Sequence, residues 1–267
     1  MVTVVDDRFD DETTGTTWRV TQIGRGVVQT LPGALWLTVK PASETMYSDA
    51  QISDYGSNTA DFAMPFRWRP PLQMTVRARA KMSAGSIQGT AGFGFWNQPF
   101  MPGQRRFRIP QAVWFFYSSP PSNMQLARGV PGPGWKAATF NARRWSFFAL
   151  LPTAPLGFLL LRFPTVYERL WPLAQQALGV SEGLLEGDLL TRTHTYTLDW
   201  AVDSVRFAVD GERVHETDLS PGGPLGFIAW VDNQYAVVTP QGQFGFGLVP
   251  VAQEQSLVLE QVTIRQL

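Results

Sequence analysis

Short runs of alternating apolar and polar residues recur along the chain, and Gly and Pro residues separate them. In the clearest run, Leu72 to Met82, every even-numbered residue is apolar and every odd-numbered residue is polar. A period of two is typical of a β-strand, because successive side chains point to opposite faces of the sheet. This run therefore predicts a strand with one face in the core and the other toward solvent or a ligand.

A hairpin is indicated in the last third of the chain. The segments Thr195–Trp200 and Ser204–Val209 have the composition of strands, and Asp210-Gly211 follows the second of them. This dipeptide favours a tight turn because glycine tolerates a positive φ. With further strands expected at Leu225 to Val231 and Leu257 to Ile264, the pattern predicts an all-β sandwich.

Two of the expected strands, Ala112–Tyr117 and Gly226–Val231, are apolar on both faces. A strand of this kind is usually covered on both faces. A sandwich of two layers covers only one face of each strand. The sequence therefore predicts an additional element that packs on the outside of the sheet.

Residues 142–190 interrupt the β pattern and are the candidate for this cover. Within them a helix is predicted from an N-cap at Thr165 to a stop at Gly179. We expect the segment from Pro155 to Leu178 to form a helical lid over the concave sheet and to close a pocket. The apolar stripe of this helix consists of Val166, Leu170, Leu173 and Ala177.

Composition limits the classes of function. Of 267 residues, 44% are hydrophobic, and 22 acidic residues balance 22 basic ones. The length suits one β-sandwich domain over residues 1–267, and the zero net charge argues against nucleic-acid binding. The chain has no Cys, and its only histidines are His194 and His215. We therefore expect neither a metal site nor a cofactor.

The first residues, Met1 to Asp7, lack the basic and apolar regions of a secretory signal. The chain also has no run of about 20 apolar residues, the length that a transmembrane helix needs. These features predict a cytoplasmic protein without a transmembrane segment.

Several segments, taken in order, carry a resemblance to a known family. They are the opening Asp7–Asp10, the strand Met74 to Met82, the hairpin segments His194–Trp200 and Asp203–Gly211, and the final Leu259–Arg265. In this order they resemble the first, cleft-lining, late-hairpin and closing strands of the family 16 glycoside hydrolases, in the concanavalin A-like superfamily. The resemblance implies a jelly-roll β-sandwich with a sugar-binding cleft.

The catalytic acids of that family have no counterpart in the sequence. The family carries the motif E-x-D-x-x-E on one strand, because cleavage needs two carboxyl groups that flank the scissile bond. The equivalent strand here, Gln111 to Tyr117, contains no acid. Glu44, Asp49 and Asp54 lie in a loop-like stretch, Asp232 ends a later strand, and no pair has the required spacing. We therefore expect a pseudo-glycosidase without glycosidase activity.

Candidate ligand-binding residues lie on or beside the strands of the expected cleft. Tryptophan rings stack on sugars and apolar ligands, and guanidinium groups bind carboxylate or phosphate. The alternatives are core packing for the aromatic residues, a salt-bridged surface for the arginines and a turn for the aspartate. His194 is expected to be structural and His215 to be solvated. The predicted ligand-binding residues are Arg77, Arg79, Trp96, Trp114, Tyr117, Trp230 and Asp232.

These features favour the binding of a small ligand, either apolar or sugar-containing, in a hydrophobic pocket on the concave face. Dimerisation of two copies through the same apolar face is a competing explanation of that face. An enzyme of another class, such as a cyclase, isomerase or hydratase, would use the same pocket, and so would a carbohydrate-binding module. A further hypothesis is peripheral attachment to a membrane through residues 155–161 and the helix that follows.

Overall fold

Alternation of apolar and polar residues gives the strands an apolar side, and burial of these sides organises the fold seen in the computed structural model. It describes residues 2–10, 17–57, 63–64, 66–82, 87–99 and 108–267. In these residues the strands form two large antiparallel sheets that pack face to face. The predicted fold, an all-β jelly-roll sandwich with a partly helical insertion, is confirmed.

The elements are numbered in chain order. The strands are β1 (Val2–Asp7), β2 (Arg19–Ile23), β3 (Gly26–Leu31), β4 (Ala34–Val39), β5 (Asp49–Ser53), β6 (Gly56–Ser57), β7 (Ala63–Met64), β8 (Leu72–Met82), β9 (Thr90–Trp96), β10 (Gln111–Ser118), β11 (Gly134–Asn141), β12 (Val180–Leu184), β13 (His194–Trp200), β14 (Val205–Val209), β15 (Glu212–Thr217), β16 (Gly226–Asp232), β17 (Gln234–Val238), β18 (Phe244–Leu248) and β19 (Gln255–Gln266). The helices are α1 (Trp145–Leu150), α2 (Ala154–Leu160) and α3 (Pro164–Leu178), with 3-10 turns at Leu151–Thr153 and Gly187–Thr191.

Each large sheet has a defined strand order. The first sheet runs β15-β14-β13-β8-β19-β4-β3, with β1 paired to β19. The second sheet runs β12-β11-β10-β9-β16-β5-β2. After β16 the chain continues into a separate hairpin of β17 and β18, and β6 pairs with β7. The strands that are apolar on both faces, β10 and β16, therefore lie inside the second sheet on either side of β9.

The main core fills the space between the two sheets. β8 contributes the apolar side that its alternation predicts, from Leu72 to Ala80. Aromatic rings from the two sheets meet there: Phe93 lies 5.2 Å from Tyr196, and Phe95 lies 5.5 Å from Trp200, between ring centroids. Because the first sheet uses the apolar side of β8 for this core, the polar side of β8 faces outward.

The predicted hairpin is confirmed at β13, β14 and β15. Val205, Phe207 and Val209 form the buried side of β14. Asp210 and Gly211 have φ angles of 50° and 84° between β14 and β15. Consecutive positive φ angles are those of a type I′ turn, for which an Asp-Gly pair is well suited.

The insertion between β11 and β12 is helical, and its longest helix differs from the predicted one at its start. The helix α3 begins at Pro164 instead of using Thr165 as the N-cap. Proline is favourable in the first turn because its missing N–H would have no partner within the helix there. Gly179, with a φ of 64°, ends the helix as predicted. The side chain of Ser146 in α1 donates to the carbonyl of Ala177 in α3, which joins the two helices.

The predicted apolar stripe of α3 is wrong in its orientation. Leu170 and Leu173 are 46% and 65% exposed, whereas Trp171 is buried. The indole of Trp171 donates to the carbonyl oxygen of Leu126 at 3.0 Å and stacks on Tyr167. An indole buries more apolar area than leucine and needs a partner for its N–H, so it decides which side of the helix faces inward. No helix within the described ranges is both long and apolar enough to cross a membrane.

Candidate functional site

A second cluster of aromatic side chains lies on the outer side of the second sheet, facing away from the first sheet. Alternate residues of β9, β10 and β16 point outward there, at neighbouring positions of adjacent strands. We call this surface the aromatic face. It consists of Tyr55, Phe66, Trp96, Trp114, Phe116, Met124, Ile228 and Trp230.

Gly92 and Gly94 of β9 make room for these rings. Gly92 lies opposite Phe116 on one side and Trp230 on the other, and Gly94 lies opposite Trp114. A Cβ atom on Gly92 would lie 2.9 Å from Cη2 of Trp230, and one on Gly94 would lie 2.5 Å from Cα of Trp114. The absence of side chains at these two glycines therefore allows neighbouring rings and backbone to approach the strand closely.

The rings of the aromatic face touch one another across the strands. The centroid of Trp114 lies 5.7 Å from that of Trp96, 5.5 Å from that of Trp230 and 5.4 Å from that of Phe116. Trp96 and Trp114 are half-buried, whereas Phe116 and Trp230 are buried. The side chains of the face that a ligand can contact directly are therefore the half-buried ones, Trp96 and Trp114 together with Phe66 and Met124.

Hydrogen bonds hold two of the indoles in place. The Nε1 atom of Trp230 donates to Oγ1 of Thr90 at 2.9 Å, and that of Trp96 donates to the hydroxyl of Tyr55. With its N–H group satisfied inside the protein, the half-buried ring of Trp96 offers its π face and edge to a ligand. A surface of this kind recognises the apolar face of a sugar or an apolar ring system.

Two carboxyl groups lie side by side at one end of the aromatic face. Asp232 ends β16 and is directly opposite Asp49, the first residue of β5. Oδ1 of Asp232 accepts hydrogen bonds from Oγ1 of Thr90 at 2.7 Å and from the amide of Gln234 at 3.0 Å. Oδ1 of Asp49 is buried, with no hydrogen-bond partner among the described residues.

The environment of this pair disfavours the charged form of both acids. Burial raises the pKa of Asp232 to about 6. Burial also raises the pKa of Asp49 well above its usual range, and the charge of Asp232 raises it further, although a hydrogen bond with Tyr47 opposes this shift. The surroundings therefore favour the protonated form of both acids, and an ionised Asp232 strengthens this preference at Asp49.

Asp49 is not among the predicted site residues, because the sequence indicates a loop-like stretch around it. The structure corrects this, since Asp49 begins β5. The alternation from Asp49 to Ser53, with Ala50 and Ile52 facing the core, is the signal that identifies the strand. Asp54, the next acid along the chain, follows the other end of β5, where it is buried and accepts from the amide of Phe227 at 2.7 Å and from the indole of Trp68. These bonds give Asp54 a structural role.

A buried ion pair lies at the opposite side of the aromatic face. Nζ of Lys136 in β11 is 3.5 Å from Oε1 of Glu182 in β12, and their side chains are 1% and 9% exposed. The amide of Ala127 donates to Oε2 of Glu182 at 3.0 Å, and Nζ of Lys136 donates to the carbonyl of Met124 at 3.4 Å. No pattern in the sequence distinguishes Lys136 from a surface lysine.

The structure brings together only some of the predicted ligand-binding residues. Trp96, Trp114 and Trp230 share the aromatic face, and Asp232 lies at its end. Tyr117 packs against the core on the inner side of β10, because its spacing of three from Trp114 places it on the other face of the strand.

Arg77 and Arg79 lie elsewhere. They are on the outer side of the first sheet, where both pair with Glu260, at 3.3 and 3.8 Å. β8, the strand expected to line the cleft, does not contribute to the aromatic face, because it pairs with β13 and β19 in the first sheet. The body of the sandwich separates these arginines from the aromatic face.

Both histidines have defined partners. Nδ1 of His194 lies 2.6 Å from Oδ2 of Asp210, in the turn that follows β14. His215, expected to be solvated, is instead half-buried: its Nε2 lies 2.8 Å from Oγ of Ser181, and burial lowers its pKa. His215 is half-buried because β12 packs against β15, where a Cβ on Gly183 would lie 2.7 Å from the imidazole.

The helical insertion and the β17–β18 hairpin meet beside this sheet. The insertion leaves β11 at Asn141, at the end of the sheet where β10 begins, whereas the hairpin leaves β16 after Asp232, at the other end. Phe158 of α2 nevertheless contacts the hairpin, with its ring centroid 5.7 Å from that of Phe244 and its ring against Gly242. The described residues contain no group of three or more His, Cys, Asp or Glu side chains placed to bind a metal ion.

Comparison with known proteins gives a likeness of structure only. No family model and no curated protein matches the sequence. Among solved structures, the Crh5 transglycosylase in complex with NAG is 14% identical, with a TM-score of 0.53 over 100% of this chain and 84% of that one. The Bacillus licheniformis β-glucanase is 10% identical, with a TM-score of 0.53 over 100% and 99% of the chains. A lichenase from a mouse hindgut metagenome is 12% identical, with a TM-score of 0.52 over 98% and 99%.

The chain has the fold of the family 16 glycoside hydrolases. The predicted resemblance is therefore confirmed at the level of the fold. At these identities the likeness concerns the family 16 fold alone, so the function of the chain must be argued from its own side chains.

Proposed function

We propose that the protein binds a small ligand, apolar or glycosylated, on the aromatic face of its family 16 fold and does not cleave glycosidic bonds. The observation that carries the proposal is the pair of half-buried rings, Trp96 and Trp114, next to each other on the outer side of β9 and β10. Their immobilised neighbours prevent these rings from collapsing into the core, so the face is already formed before a ligand binds.

The composition of β10 supports binding without glycosidic cleavage. Its outward residues are Ala112, Trp114, Phe116 and Ser118, and none of them is a carboxylic acid. Asp49 and Asp232 lie on the neighbouring strands β5 and β16, at one end of the face, and both are buried. A glycosidase needs its two carboxyl groups on opposite sides of an accessible scissile bond.

The position of the insertion supports a small ligand over a long polysaccharide. The contact of Phe158 with the hairpin after β16 joins elements that leave the sheet at opposite ends. In our proposal these elements act as the predicted helical lid and limit the length of ligand that the face accepts. A carbohydrate-binding module for long chains would need this passage to be open.

The test is a binding measurement by calorimetry and native mass spectrometry. The probes are β-1,3-glucan and N-acetylglucosamine oligomers of two to six units and octyl glucoside. We expect binding of short or apolar glycosides, and a loss of about tenfold or more in affinity for Trp114→Ala. The matched control is Trp36→Ala, because Trp36 is also half-buried but contacts Lys81 on the first sheet.

The outcomes separate the alternatives. Affinity that rises steadily with oligomer length would favour a carbohydrate-binding module. Release of reducing sugar by the wild-type protein would contradict the proposed lack of cleavage. Equal affinities of the Trp114→Ala and Trp36→Ala variants would contradict the assignment of the site to the aromatic face.

A second candidate function rests on the buried acids. Two neighbouring carboxyl groups whose pKa values are both raised are an arrangement that serves acid–base catalysis in other enzymes. An isomerase, cyclase or hydratase acting on an apolar metabolite would hold that metabolite on the aromatic face, beside the end at which Asp49 and Asp232 lie. Turnover that disappears in Asp232→Asn while ligand affinity is kept would support this candidate, and unchanged turnover would remove it.

A further inference from the structure

The helical insertion exposes an unusual number of large apolar side chains. Seven of them, with exposed fractions between 46% and 83%, lie between residues 145 and 173. They are Trp145, Leu151, Leu156, Leu159, Phe163, Leu170 and Leu173. Soluble monomers rarely display such a concentration unless the surface has a partner.

The adjoining hairpin extends this surface. Phe244 and Phe246 of β18 are 60% and 74% exposed, and Phe244 contacts Phe158 of α2. The exposed leucines of α2, Leu156 and Leu159, therefore stand on the same helix that touches the aromatic hairpin. We call the exposed apolar side chains of the insertion and of β18 the apolar rim.

The charge of the insertion indicates what the apolar rim contacts. Residues 142–179 contain four arginines and one acid, Glu168, although the whole chain is neutral. Glu168 is paired with Arg128. Two exposed arginines each stand next to an exposed apolar residue in the chain: Arg162 precedes Phe163, and Arg169 precedes Leu170. Apolar side chains flanked by arginines are typical of segments that lie in the interface of an anionic membrane.

We propose that the apolar rim docks the protein on the surface of an anionic lipid membrane, with the rim side chains inserted among the acyl chains and the arginines at the headgroups. A second copy of the chain fits this surface less well. In a two-fold dimer the same patch faces itself, and its arginines would oppose one another. This inference is independent of the ligand proposed for the aromatic face.

The test is co-flotation of the full chain with vesicles of phosphatidylcholine alone or with 30% phosphatidylglycerol. We expect binding to the anionic vesicles, weaker binding in 0.5 M KCl and little binding to phosphatidylcholine alone. Leu156→Ser with Leu159→Ser should lower the partition coefficient by at least about tenfold. The control is Val202→Ser, because Val202 is 70% exposed in the turn between β13 and β14.

Charge reversal tests the electrostatic part separately. Arg162→Glu with Arg169→Glu should lower binding to anionic vesicles, whereas Arg192→Glu, at an exposed site before β13, should not. Wild-type protein that stays in the soluble fraction with anionic vesicles would overturn the proposal. A dimer in sedimentation that Leu156→Ser with Leu159→Ser dissociates, without vesicle binding, would overturn it in favour of a homodimer interface. Trp114→Ala should leave flotation unchanged, so its failure to bind glycosides is distinguishable from a failure of membrane docking.

Discussion

Replacing Asp232 by Asn tests whether the folded protein holds a proton that the unfolded chain releases. Burial raises the pKa of Asp232 from 3.8 to about 6, although hydrogen bonds from Thr90 and Gln234 favour the charged form. Between these pH values the folded state binds the proton more tightly than the unfolded state. Raising the pH through this range therefore lowers the free energy of unfolding.

The size of the effect follows from the difference between the two pKa values. One pKa unit corresponds to about 1.4 kcal/mol, so the rise from 3.8 to about 6 is worth about 3 kcal/mol in total. About 2 kcal/mol of this falls between pH 4.5 and pH 7.5, because part of the change occurs at lower pH. Burial and, after it, the charge of Asp232 also raise the pKa of Asp49. Removing that charge in Asp232→Asn therefore also reduces the loss of stability that Asp49 causes as the pH rises.

Asparagine keeps an oxygen that can accept from Thr90 and Gln234 but cannot ionise. We expect urea unfolding, followed by tryptophan fluorescence, to show Asp232→Asn gaining about 2 kcal/mol or more relative to wild type between pH 4.5 and pH 7.5. The control is Asp218→Asn, at an exposed site. A difference between wild type and Asp232→Asn that is the same at both pH values would refute the reasoning.

Two further substitutions test the surroundings of the aromatic face. Lys136→Met leaves Glu182 buried without its partner and should lower the free energy of unfolding in urea by about 3–5 kcal/mol. The double variant with Glu182→Leu should recover most of this loss. A double variant as unstable as the single one would contradict this account. Gly92→Ala places a Cβ 2.9 Å from Trp230, so it should lower the free energy of unfolding by about 1–3 kcal/mol and alter the near-ultraviolet circular dichroism. The control is Gly187→Ala, which should change neither, because no atom lies within 4 Å of the added Cβ.

The parts of the fold that were predictable have local signals. The alternation of β8 from Leu72 to Met82 and the Asp210-Gly211 turn each depend on neighbouring residues, and the structure has both where the sequence places them. The odd or even spacing of residues along a strand is another local signal. Because Tyr117 is an odd number of positions from Trp114, these residues cannot share a face of β10.

The parts that were not predictable depend on pairing over long separations. Asp49 and Asp232 become neighbours only because β5 pairs with β16, and no local pattern contains that register. The same limit applies to Arg77, whose distance from the aromatic face depends on the sheet that β8 joins. In α3, apolar residues occur on nearly every side, so periodicity does not identify Trp171 as the buried residue.

The charged clusters beside the aromatic face argue that this side of the second sheet serves recognition. Burial of the Lys136–Glu182 pair, and of Asp49 with Asp232, costs desolvation free energy that apolar side chains of similar volume would not require. A sheet that needed only to be covered would be at least as stable with apolar residues at these positions. The ion pair lies on β11 and β12 and the acids on β16 and β5, so the rings of β9, β10 and β16 stand between them. A ligand that stacks on these rings therefore has buried polar groups on both sides, and such groups discriminate between ligands more sharply than an apolar surface does.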